Sequence, residues 1–100
     1  MKYFTESAFS GGLYIVLKGE RLADLEKKFS TTKNLIIYDN KLKTEISEGD
    51  AIFIKTYEKS YIVKVTDTVL SIEKALNAPF EEIVKVNKIS YFYPFMKLVL

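Results

Sequence analysis

The chain has no cysteine, no histidine and no tryptophan, and its 100 residues include only four glycines and two prolines. Without cysteine there is no disulfide framework and no thiolate nucleophile. Without histidine the commonest general base and the commonest metal ligand are missing. No nucleophile elbow, phosphate-cradling glycine loop or zinc spacing occurs, and the adjacent Gly11 and Gly12 fall in what reads as a leader. Carboxylates, Lys, Tyr and Ser remain as possible catalysts, but this inventory predicts a protein that is not an enzyme and that holds no metal and no cofactor.

One-sided charge is also lacking. Fifteen basic and 13 acidic residues are spread along the chain for a net charge of +2, so no tail or block creates a directed field. A pI near 8.7 and many Tyr and Phe do not amount to a basic aromatic motif, and no nucleic-acid partner is expected. No apolar run approaches the ~20 residues needed to cross a bilayer, so no membrane span is expected. The start, MKYFTESAFSGG, lacks the apolar segment of a secretory signal, which predicts no export by that route. With 48% apolar and 14% aromatic residues, the chain reads as soluble and globular.

What is present is a repeat. Placing Tyr14 over Tyr61 offsets the chain by 47 residues, and the register holds without a gap to Lys41 over Lys88. Identical pairs are Tyr14/Tyr61, Ile15/Ile62, Val16/Val63, Glu26/Glu73, Lys27/Lys74, Ile36/Ile83, Asn40/Asn87 and Lys41/Lys88. Glu20/Asp67, Leu25/Ile72, Phe29/Leu76 and Ile37/Val84 conserve size or charge. After Lys41 the first copy is one residue longer, so that Ile46 onward matches Phe92 onward at an offset of 46.

Each copy has the same order of elements. LYIVL and SYIVKV are β-branched and aromatic, as strands are. Leu22, Leu25 and Phe29, and then Val69, Ile72 and Leu76, recur at i, i+3 and i+7 and predict one helical stripe per copy. Thr68 or Asp67 can cap the second-copy helix, whereas Gly19 is the only fair candidate in the first. A shorter helix follows, with Pro79 at its start, Glu81 and Glu82 in its first turn, and Asn87 expected just past its end in a left-handed conformation. DAIFI and KLVL close the copies as strands. The predicted fold class is α+β, strand, helix, helix, strand, twice.

These residues resemble the lysin motif (LysM) family, whose pattern runs approximately YxVxxGDTLxxIAxxF, then LxxxN, then PGxxLxI. In the second copy Tyr61, Val63, Asp67, Thr68, Ile72, Ile83, Asn87, Pro94 and Leu98 fall on it. In the first, Tyr14, Val16, Gly19, Leu22, Leu25, Phe29, Ile36, Asn40, Gly49, Ile52 and Ile54 do. The resemblance implies two tandem βααβ modules, 13–55 and 61–100, with a leader at 1–12 and a short linker at 56–60. Each module would have a two-stranded antiparallel sheet with two helices on one face. It also implies non-catalytic binding of glycans containing N-acetylglucosamine, of the peptidoglycan or chitin type. The implied localisation is cytoplasmic or associated with a spore or envelope in a bacterium.

Carried over by position, the sugar groove involves Gly19, Glu20 and Arg21 with Thr44, Glu45 and Ile46 in the first copy. In the second it involves Thr66, Asp67 and Thr68 with Ser90, Tyr91 and Phe92. Exposed loop NH and CO groups would pair with an acetamido group while apolar side chains cover its methyl.

Both copies depart from the pattern. The first keeps Gly19 but has Glu20 and Arg21 for Asp-Thr; the second keeps Asp67 and Thr68 but has Thr66 for the glycine. Phe95 stands where the family has the Gly of Pro-Gly, which predicts a reshaped loop there. Asn40 and Asn87 read as holding helix ends rather than touching ligand. In YFYPF, alternation along a strand would send Phe92 to one face and Tyr91 and Tyr93 to the other. Tyr91, Tyr93 and Phe95 therefore form a possible interface with the other module, a second subunit or a protein partner. The alternative function is a LysM-derived protein interaction module in envelope or spore assembly. Units of about 45 residues lie near the lower limit of independent stability, and six residues separate Ile54 from Tyr61, so the modules are expected to pack together.

Overall fold

The computed structural model describes residues 11–100. Eight elements follow the chain: β1 (Gly11–Ile15), α1 (Leu22–Lys28), α2 (Lys33–Asn40), β2 (Ala51–Lys55), β3 (Ser60–Ile62), α3 (Val69–Leu76), α4 (Phe80–Asn87) and β4 (Lys97–Val99). Strands β1 and β2 form one antiparallel sheet, and β3 and β4 another. The α+β class and the doubled βααβ order are those read from the sequence. Residues 1–10 of the expected leader lie outside the described residues. Gly11 and Gly12 are not leader: they pair with Lys55 and Ile54 in β1. Glycine's poor strand propensity hid a pairing that β2 dictates.

Two small cores result. Tyr14, Val16, Leu22, Leu25, Phe29, Ile36, Ile46, Ile52 and Ile54 make the first, and Val63, Ile72, Leu76, Ile83 and Leu98 make the second. Ile52 and Ile54 point inward from β2 while Ala51, Phe53 and Lys55 face out, the period of two expected of a sheet covered on one side. The helical stripe of the first copy is buried throughout. In the second only Ile72 and Leu76 are buried and Val69 is 48% exposed, so the expected stripe there loses its first member.

The helix ends correct the sequence reading in a useful way. Asn40 and Asn87 are the last helical residues, and it is Lys41 and Lys88 that turn left-handed, at φ 52° and 57°. The asparagines stay helical because their side chains are needed inside. Asn87 donates from Nδ2 to the Ile83 and Val99 carbonyls and accepts the Val99 NH at Oδ1, at 2.8 to 2.9 Å. Asn40 makes the same three bonds to Ile36 and Phe53. Each carboxamide thus acts as one more strand residue, joining a helix end to the closing strand.

The units are fastened to each other. Asn34 Nδ2 donates to the Asn87 and Lys88 carbonyls, and Lys97 Nζ donates to the Glu26 and Phe29 carbonyls at the end of α1. A lysine there satisfies carbonyls that the helix leaves open and complements its dipole. In the connection, Ser30 and Tyr57 exchange two hydrogen bonds. Thr31, Leu35 and Val99 are buried without belonging to either core, as residues at a junction are.

The YFYPF segment is not strand. Residues Tyr93 to Met96 form a type II turn with Pro94 at its second position and Phe95 at its third, at φ 71°, closed by Met96 NH to the Tyr93 carbonyl. Its first-copy counterpart, Ser47 to Asp50, has Gly49 there at φ 90°. The expected reshaping of this loop does not occur. Phe95 NH binds the Val63 carbonyl at 2.8 Å just as Gly49 NH binds that of Val16, and these bonds hold a bulky residue in a conformation suited to glycine. The expected division of the aromatics does hold, since Phe92 packs into the second core while Tyr91, Tyr93 and Phe95 are exposed.

Urea denaturation of four variants tests the asparagine bridges and the two turns. Asn87→Ala leaves the buried NH and carbonyl of Val99 unpaired and is expected to cost about 3 kcal/mol, against roughly 1–2 kcal/mol for the more accessible Asn40→Ala. Phe95→Gly is expected to stabilise by about 1 kcal/mol through relief of backbone strain. Gly49→Ala should destabilise by about the same amount through backbone conformation alone, since an added Cβ meets nothing within 4 Å.

Candidate functional site

The turn after the first strand is built around an acid in both units. In the first, Glu20 accepts from the Tyr14 hydroxyl at 2.8 and 3.0 Å, from the Leu17 NH at 2.8 Å and from Lys28 Nζ at 3.3 Å. In the second, Asp67 accepts from the Tyr61 hydroxyl, the Lys64 NH and the Ser71 hydroxyl at 2.6 to 2.7 Å. Both were expected at a sugar groove. Their carboxylates are engaged within the turn, holding the groove's first wall rather than facing outward. The spacing of tyrosine and acid by six residues, repeated in both copies, is the sequence signal for this arrangement.

The two turns differ in backbone. Both close by an NH to carbonyl bond across four residues, Glu20 to Leu17 and Asp67 to Lys64. Gly19 sits at φ 82° in the third position, which makes the first turn type II. Thr66 does not have positive φ, so the second turn is not type II. The backbone of the two turns therefore differs at the third position. A glycine lost at position 66 changes the site without changing the fold.

In the first unit, all six residues named from the sequence come together. Gly19, Glu20, Arg21, Thr44, Glu45 and Ile46 line a cleft of about 560 Å³, joined by Ser47 and Glu48, which the sequence reading missed. Glu45 ties the two walls: its Oε1 accepts the Leu22 NH at 2.8 Å and the Ile46 NH at 3.2 Å. With Asp24, which accepts the Arg21 NH at 2.9 Å, it also caps α1, so Gly19 is not the cap and Arg21 is the N-cap residue. The arginine side chain has no acceptor and contributes nothing to that cap. The cleft carries three carboxylates, of which Glu20 is paired with Lys28, and one guanidinium, so its lining is mildly acidic and suits a neutral or cationic ligand better than an anion.

The second unit does not repeat this. Thr68 caps α3 by accepting the Ser71 NH, and Asp67 is engaged as described. Tyr91 replaces Glu45 and stands 65% exposed, while Phe92 replaces Ile46 and packs edge-on to Phe80 at 5.3 Å. Ser90 and Tyr91 instead line a second cleft of about 490 Å³ between the units. Its walls include Lys33 and Asn34 of α2, Lys88 after α4, Tyr93 to Phe95, and Lys97 of β4. Apart from Ser90 and the aromatics, no sequence signal marked these positions, because the cleft exists only through the packing of one unit on the other.

No protein-family profile matches the chain, and no curated protein matches it in sequence. Among solved structures it is similar to the spore cortex-lytic enzyme SleL of Bacillus cereus, with 25% identity and a TM-score of 0.46 over 92% of this chain. It is also similar to SleL of Bacillus megaterium QM B1551, with 21% identity and a TM-score of 0.43 over 93%. The chain spans 23% of the length of each. No helix among the described residues is long and apolar enough to cross a membrane, and no cluster of three or more metal-ligating side chains occurs among them.

The acid turns also set the pH response. Burial would raise the Glu20 carboxyl, but bonds from the Leu17 NH, Tyr14 and Lys28 outweigh it and hold the group below its ordinary value. Asp67 is likewise lowered, by the Ser71 hydroxyl first and then the Lys64 NH and Tyr61. Burial raises Tyr14, and the bond to Tyr14 raises Lys28. The lowered carboxyls contribute stability that is present above the unfolded carboxyl range and lost as pH falls through their folded values. The raised Tyr14 and Lys28 contribute stability present below roughly pH 10 and lost above it. Urea midpoints should be flat between about pH 5 and 9 and fall on both sides, with Glu20→Gln and Asp67→Asn together flattening the acid limb.

Proposed function

We propose that the chain is a non-catalytic binder of an N-acetylglucosamine-containing glycan, of the peptidoglycan or chitin type, and that the first unit's groove is the working site. The carrying observation is that the six first-copy residues singled out by the LysM resemblance line one cleft. A neutral acetamido sugar fits its chemistry. Exposed Thr44 offers its methyl as apolar cover, loop carbonyls and NH groups offer pairing, and the acidic lining imposes no cost on an uncharged ring as it would on an anion. The cleft is shallow, so a single unit would bind weakly. The corresponding location is the cell wall or spore envelope of a bacterium.

A second reading, a protein interaction module, is favoured by one feature of the second unit. Val65, Val69 and Leu70 are 67%, 48% and 63% exposed around the start of α3. Their first-copy counterparts are Lys18, Leu22 and Ala23, of which Leu22 is buried. Apolar surface gained where the sugar groove is degenerate suits a protein contact.

Titration of the ¹⁵N-labelled chain with chitotetraose separates these readings. Amide shifts confined to 19–21 and 44–46, with weak affinity of roughly millimolar to high micromolar Kd, are the expected result. No shift at millimolar sugar, with an unperturbed spectrum, would contradict glycan binding and leave the protein reading.

A further inference from the structure

We propose that the cleft between the units is a second site, for a carboxylate-bearing saccharide whose rings lie on Tyr91, Tyr93 and Phe95 and whose carboxylate meets Lys33 and Lys88. That the ligand is a saccharide rests on the reading above; the site, its charge and its residues do not.

The charge of this cleft is opposite to that of the first-unit groove. Its lining holds three lysines and one acid, Glu26, whose carboxylate accepts the Lys33 backbone NH at 2.6 Å. Lys97 Nζ is committed to two carbonyls. The ammonium groups of Lys33 and Lys88 have no carboxylate partner among the described residues, where the one ion pair is Lys28 with Glu20. Lys88 lies over the Tyr38 ring at 4.9 Å, a contact that positions its charge without neutralising it. Lys33 and Lys88 both line the cleft as exposed residues, so an anion entering here meets positive charge that no carboxylate compensates and that salt screens.

The aromatic wall presents exposed, clustered ring faces and edges to the cleft. Tyr91, Tyr93 and Phe95 are 65%, 51% and 74% exposed, and the two tyrosine rings lie 5.9 Å apart, tilted by 54°. Phe95 contributes nothing to the core, yet occupies a left-handed position that glycine fills in the first unit. Strain maintained for an exposed ring marks a position whose value lies outside folding. Asn34 adds polar specificity: its NH₂ bridges to the other unit while its Oδ1 has no hydrogen-bond partner among the described residues, leaving an acceptor for a hydroxyl or amide.

Size selects the class of ligand. A concavity of about 490 Å³ holds two or three sugar rings, whereas a stable protein contact needs about 800 Å² from each partner, commonly on a flatter surface. The walls are fixed by the Asn34 and Lys97 bonds, so little ordering remains to oppose binding.

The test uses the full chain and three probes: the disaccharide N-acetylglucosaminyl-N-acetylmuramic acid, its methyl ester, and chitobiose. The acid should shift the amides of Asn34, Lys88 and Tyr91 to Lys97, excluding Pro94. The ester and chitobiose should bind there about fivefold more weakly or less, and 0.5 M salt should reduce the difference. Lys33→Gln with Lys88→Gln should weaken the acid about tenfold. Phe95→Gly should weaken it while raising the melting temperature, a pairing that loss of folding cannot produce. An ester that binds as tightly as the acid overturns the proposal. Shifts confined to the first-unit groove overturn it while leaving the groove reading intact, and silence in both places overturns both. A cleft that responds to a glutamate-rich peptide and not to the disaccharide overturns it in favour of a protein partner.

Discussion

A unit of some forty-five residues with a two-stranded sheet cannot close itself by apolar area alone, and the carboxamide at the end of its second helix supplies the closure. Asn87 bonds at once to its own helix and to both backbone groups of Val99; Asn40 does the same with Phe53. The strand so held carries the inward residues Ile52 and Ile54, or Leu98, on which each core is built. The register of the closing strand in turn fixes the loop before it, and in the first unit that loop is one wall of the groove.

The other wall is set by the acid turn, and the two units use the shared frame differently. The first keeps Gly19 and the type II turn, and Glu45 links its walls through Leu22 and Ile46. The second gives up both features. It gains three exposed aromatics and, by packing against α2 of the first unit, a basic cleft that neither unit has alone. Duplication here provides one frame and two chemistries, with opposite charge at the two concave sites.

Much of this was legible in the sequence because it is local or repeated. Identical residues at a constant offset gave the doubled βααβ order, and the spacing of Leu22, Leu25 and Phe29 gave a helix whose inward face is that stripe. The groove of the first unit came from position within the resemblance, and its six residues do meet in space. What stayed hidden depends on tertiary bonds. Asn87 looks like a left-handed cap until the closing strand is present to use its side chain. Glu45 is legible as a groove residue but not as the acceptor that joins the Leu22 NH of α1 to the Ile46 NH of the opposite wall. Val69 looks like core from its spacing, yet it stands 48% exposed at the start of α3. The basic cleft could not be read at all, since Lys33 and Lys97 are 64 positions apart and meet only across the junction.

The central claim is that the first-unit groove, and not its second-unit counterpart, receives the neutral acetamido sugar. Isotope-filtered NOE spectra of the ¹³C,¹⁵N-labelled chain with unlabelled chitotetraose test it directly, by reporting which protons approach the acetamido methyl groups. Contacts from those methyls to Gly19 and Thr44 are the expected result. Contacts to residues 66–68 or to Phe92, with none in the first unit, would contradict it.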